Sequence, residues 1–132
     1  MPADNAATVA IGADVQFPQN GPTTSTGTAR STASSFDLAT PGVYRVTVNV
    51  PVDEFGQLVL TLDGAELAYT VTGRATGTTP IALTTLVETT SFDQVLTVRN
   101  PSGNITALTI SPNAGGTHPV SATLLIELIR AS

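Results

Sequence analysis

The run Phe36-Asp37-Leu38-Ala39-Thr40-Pro41-Gly42-Val43-Tyr44-Arg45-Val46-Thr47-Val48-Asn49-Val50, followed after a short bend by Gln57-Leu58-Val59-Leu60-Thr61-Leu62-Asp63-Gly64-Ala65-Glu66-Leu67, decides the fold class. Tyr44, Val46, Val48 and Val50 are apolar, while Arg45, Thr47 and Asn49 between them are polar. That is the period of two of a half-buried strand, one face seeking a core and the other water. Leu58, Leu60 and Leu62 repeat the pattern against Gln57, Thr61 and Asp63, so residues 57–62 read as the return strand of a central hairpin. Asp63-Gly64 then supplies the positive φ angles of a tight turn.

Outward from this stretch the chain keeps the same grammar. Val9, Ile11, Ala13, Val15 and Phe17 alternate as a first extended segment, and residues 18–35, rich in Gly, Pro, Ser and Thr, form an irregular excursion with a short strand near 29–34. Further strands are expected over 66–72 (Leu67, Tyr69 and Val71 on one face), 81–90, 94–100, 105–111 and 120–130, punctuated by Asn100-Pro101-Ser102-Gly103-Asn104 and other turn signals. No window has helical periodicity. About nine or ten short strands suit an all-β sandwich or barrel.

The 132 residues suit a single domain over 8–132, with residues 1–7 as a loose leader. Cysteine is absent, so packing or oligomerisation, not disulfides, must supply stability. The five basic residues are all arginines, scattered singly in a chain of net charge -5. Nucleic acid is therefore not an expected partner. Apolar runs fall far short of the roughly twenty residues of a bilayer span, and the start lacks the basic and apolar regions of a signal peptide, so membrane insertion is not expected either.

The last strand is two-faced. Val120, Ala122, Leu124, Ile126 and Leu128 form an apolar even face, yet Leu125 and Ile129 also stand on the odd face beside Ser121, Thr123 and Glu127. Only one face of a sandwich sheet meets the core. Leu125 and Ile129 are thus either covered by another subunit or exposed singly, as isolated surface apolar residues often are.

Phe36, Pro41-Gly42, Tyr44 and Val46 resemble the Phe…Pro-x-x-Gly-x-Tyr-x-Phe signature of C1q and tumour-necrosis-factor-like jelly rolls, with Val46 standing where an aromatic residue is usual. Residues 17–22, 57–67, 69–77, 98–103, 106–110 and 115–122 are similar to the C-terminal head of the collagen-like exosporium glycoproteins of Bacillus spores, a resemblance that spans 15–132. It implies a jelly roll of about ten antiparallel strands that forms a homotrimer. It further implies that the sheet holding strands 42–50, 94–100 and the C-terminal strand faces the three-fold axis, so that Val95 and Thr97 join Leu125 and Ile129 at the trimer interface. The implied function is a structural head on the spore surface that holds three chains of an N-terminal collagen-like stalk in register. The alternative is a C1q-like binding module whose outer loops, 73–80 or 112–119, recognise a host protein or a glycan.

Signs of catalysis are sparse. His118, the only histidine, sits in a loop without partners at metal or acid–base spacing, and no catalytic, cofactor or metal residue is assigned. Asp53-Glu54, the only adjacent acidic pair, offers at most a Ca²⁺ site and reads first as a solvated bend. The glycines of 73–77 and 115–116 precede no helix that would hold phosphate. Asn104-Ile105-Thr106 matches a glycosylation sequon but coincides with a turn.

Overall fold

The computed structural model describes residues 8–23, 28–75, 80–111 and 122–132. It is all-β, a sandwich of antiparallel sheets consistent with a jelly roll. In chain order the strands are β1 (Thr8–Val9), β2 (Thr28–Arg30), β3 (Phe36–Leu38), β4 (Gly42–Val50), β5 (Gly56–Leu62), β6 (Ala65–Glu66), β7 (Thr72–Arg74), β8 (Ile81–Thr89), β9 (Gln94–Arg99), β10 (Leu108–Thr109) and β11 (Thr123–Ala131).

One sheet has the order β11-β4-β8, a larger one runs β2-β3-β9-β5-β6 with β7 also paired to β5, and β1 and β10 form a two-stranded sheet of their own. The links β3 to β4, β4 to β5, β7 to β8 and β8 to β9 all pass between the first two of these sheets, a winding consistent with a jelly-roll-like sandwich. The alternation of β4 sets the core directly. Tyr44, Val46, Val48 and Val50 are buried, with Val87 and Ile81 beside them, against Phe36, Leu38, Leu58, Leu60, Leu96 and Val98 of the facing sheet. Apolar burial of this kind stabilises by about 25 cal/mol per Å² removed from water.

Gly42 opens β4 because nothing larger fits. A Cβ there would lie 2.2 Å from the carbonyl oxygen of Arg130 in β11. Its amide donates to Thr89 Oγ1 at 3.0 Å, and the buried Tyr44 closes the same corner, its hydroxyl donating to the Thr40 carbonyl at 2.5 Å. The Pro41-Gly42…Tyr44 spacing is thus a packing requirement where β3 turns into β4.

Several expectations are corrected. Residues 42–50 and 57–62 do not form a hairpin: β4 and β5 lie in different sheets, and 51–55 is a crossover pinned by the Val52–Ile110 bridge. The Asp63-Gly64 turn is as expected, with φ of 52° and 84°, but it joins β5 to β6. No single strand spans 66–72, because a 3-10 turn at Ala68–Thr70 interrupts it. There the Thr70 hydroxyl accepts from Leu60 N at 2.9 Å and donates to Leu67 O at 2.7 Å, replacing the ladder. Tyr69 and Val71 consequently do not share a buried face with Leu67, being 63% and 42% exposed.

The first segment breaks at Gly12 (φ 80°), leaving β1 and a lone bridge at Asp14, with Ile11 exposed. The strand expected near 29–34 is only the three-residue β2, with 31–34 a bend, and that over 105–111 shrinks to β10 with a bridge at Ile110. The largest correction concerns 94–100. β9 pairs with β3 and β5 and so lies outside the sheet of β4 and β11 that the resemblance implied for it; the second neighbour of β4 is β8.

Candidate assembly face

The three-stranded sheet has an inner face on the core and an outer face towards solvent. In register across it stand Thr123, Asn49 and Ala82; then Leu125, Thr47 and Thr84; then Glu127, Arg45 and Leu86. Beyond them Arg130, Val43 and Glu88 share a row, and a register shift between Leu128 and Arg130 leaves Ile129 without a Cα partner. Such a bulge bends the strand and redirects its side chains.

Leu125, Ile129 and Leu86 are 53%, 49% and 55% exposed. Covering side chains of this size from half exposure is worth about 1 kcal/mol each. Tyr69 borders the patch, its hydroxyl donating to the Leu86 carbonyl at 2.8 Å. Burial followed by the nearby Glu88 charge pushes that phenol's pKa up.

An ion pair occupies the middle of this face. Arg45 Nε donates to Glu127 Oε1 at 3.0 Å and Nη2 to Oε2 at 3.2 Å, a bidentate fork. The hydrogen bond from Arg45 holds the Glu127 carboxyl below the usual range. Both side chains remain hydrated, at 48% and 39% exposure.

The inner face of β11 is also less complete than that of β4. Leu124, Ile126 and Leu128 pack against the core but stay only partly buried, whereas Tyr44 and Val46 opposite them are fully so. Among the described residues β11 pairs only with β4.

The four interface residues named from sequence are therefore divided. Leu125 and Ile129 share the outer face just described. Val95 and Thr97 stand on β9 in the other sheet, away from that face. Thr97 is buried within the chain, its hydroxyl paired with that of Thr61 at 2.5 Å and donating to Asp14 Oδ1 at 3.2 Å. Asp14 in turn accepts from Arg99 Nε at 2.8 Å, an internal polar cluster that ties residue 14 to β9. Sequence reading missed Leu86. Its signal was the Leu86-Val87 doublet, because two adjacent apolar residues on one strand cannot both face the core.

The other chemical candidates resolve into structure or fall outside it. Asp53 and Glu54 form the bend expected of them, Asp53 exposed and Glu54 half-buried, with both carboxylates engaged: Glu54 accepts from Thr109 N and Thr109 Oγ1, each at 2.7 Å, and Asp53 Oδ1 accepts from the Ser111 hydroxyl. Burial works to raise the Glu54 pKa, but the Thr109 hydrogen bonds prevail and hold it low. The sequon nitrogen, Asn104 Nδ2, donates to Asn100 Oδ1 at 2.9 Å and to Gln57 O at 3.2 Å.

His118 and the glycines 115–116 lie outside the described residues, as do 76–79 of the 73–80 loop. Among the described residues no cluster of three or more His, Asp or Glu could hold a metal, and no helix is long and apolar enough to cross a membrane. In comparison with known proteins the chain matches no family model and no curated protein.

Proposed function

We propose that this chain is a non-enzymatic structural head: a homotrimeric jelly roll of the C1q and tumour-necrosis-factor-like kind. Its role is to hold three chains of a collagen-like stalk in register on the exosporium surface of a spore. One observation carries the reading, the exposed Leu86, Leu125 and Ile129 on the outer face of the β11-β4-β8 sheet. The antiparallel sandwich and the Pro41-Gly42…Tyr44 corner are in keeping with it.

The physical logic is entropic. A triple helix begins only after three chain ends are brought together, and closing that arrangement is opposed by lost chain freedom. A self-associating head removes the barrier at the step where it is highest. Recognition of a host protein or glycan by the outer loops is compatible with this role, and a saturable ligand on isolated heads is what would establish it.

Light scattering behind size exclusion, repeated across dilution, tests the proposal. A mass near three times the 13.5 kDa chain that persists on dilution is expected. A monomer at every concentration overturns the registering role.

A further inference from the structure

We infer that the Arg45–Glu127 ion pair is the discriminating element of the outer β11-β4-β8 face, making its occupant a second copy of this chain and its occupancy sensitive to the loss of either charge alone. The inference rests on the assembly reading above and concerns how that face discriminates.

Position is the first argument. Along β11 the pair lies between Leu125 and Ile129, and across the sheet Leu86 stands in register with Arg45. A subunit that covers the three apolar side chains cannot avoid covering the fork between them. Arg45 and Glu127, now 48% and 39% exposed, would then lose their water together.

Charge balance is the second. The chain carries a net charge of -5, so two copies repel over most of their surfaces. The outer face is locally balanced, since Arg45 and Arg130 stand with Glu127 and Glu88 on it. A neutral, apolar-flanked face admits another copy of an acidic chain and gives a basic partner no net charge to meet.

The consequence has opposite signs for single and double substitution. Desolvating a matched, hydrogen-bonded pair is tolerated, whereas leaving one partner charged and unpaired under a subunit is strongly unfavourable. Replacing both by apolar groups of similar volume removes the desolvation penalty altogether. In the free chain the pair is exposed and contributes little, so neither change threatens the fold.

The test uses the full-length chain as wild type, Glu127→Gln, Arg45→Gln and the double variant Arg45→Met with Glu127→Leu. Sedimentation velocity over a dilution series reads association, and far-ultraviolet circular dichroism with limited proteolysis verifies the fold of each. Either single variant should weaken association by about tenfold or more, and the double variant should associate at least as tightly as wild type. Folded single variants that assemble like wild type, or a folded double variant no better than the singles, overturn the inference while leaving the assembly reading intact. A wild type that is monomeric throughout overturns the assembly reading itself.

Discussion

Gly42 shows how one residue fixes a corner of the fold. Its missing side chain is where the Arg130 carbonyl sits, 2.2 Å from the position a Cβ would take. Gly42→Ala must therefore displace β11 or the start of β4, and overpacking of that kind costs about 1–3 kcal/mol, readable as a lower denaturant midpoint. An unchanged midpoint would show that the crossing is loose.

Three carboxyls are held low in the folded chain, the exposed, Arg45-paired Glu127 and the two with backbone and polar side-chain partners, Asp63 and Glu54. Asp63 Oδ1 accepts from Val95 N at 2.8 Å and Oδ2 from Gln94 Nε2 at 3.0 Å, and these bonds hold its pKa down. Glu54 is likewise low through Thr109, against the burial that raises it. A carboxyl lowered in the folded state contributes stability above its unfolded pKa, and that contribution disappears as pH falls through the folded value. Unfolding free energy should thus be flat near neutrality and decline as pH drops from about 5 towards 2. Asp63→Asn should shallow that decline; an equally steep profile would place the acid sensitivity elsewhere.

At the scale of the element, β11 differs from β4 in what covers it. Both alternate, but β4 is central, with neighbours on either side, whereas β11 among the described residues has one. Its inner leucines and isoleucine are consequently only partly buried, and Leu125 and Ile129 stand outward. Leu125→Asp or Ile129→Asp should leave a folded chain with weakened assembly, since an outward carboxylate disturbs no core contact but resists burial under a subunit. Light scattering on the variants checks this, and wild-type assembly by Leu125→Asp would displace the proposed face. By contrast Thr97→Val should reduce stability, because Thr97 is buried and its loss removes the acceptor of the Thr61 hydroxyl, while Asp14 Oδ1 keeps Arg99 Nε. The expected cost is about 1–3 kcal/mol in denaturant unfolding.

Across the whole molecule the sheets are built from distant partners. β4 pairs with β8 and β11, and β9 joins β3 to β5, so most ladders close long loops before they are rewarded. Folding of an isolated chain should accordingly fall in the millisecond-to-second range of sandwich topologies, a stopped-flow observable. Microsecond folding would contradict this pattern of pairing.

The all-β class, the core face of β4, the Asp63-Gly64 turn and the two-faced character of the last strand were legible in the residues alone. Each of these follows from local chemistry: a side-chain period of two, or a φ angle that few residues adopt. Only the tertiary structure decided which strands are neighbours. The alternation in 42–50 and 57–62 is identical whether the two pair or face each other across a core, so a hairpin was expected where a crossover stands. The resemblance, not the alternation, put strand 94–100 in the sheet of 42–50, and Val95 and Thr97 with it, whereas the ladders set it between β3 and β5. Period two says that a strand has a face; only the hydrogen-bond ladders formed between distant segments say what that face meets.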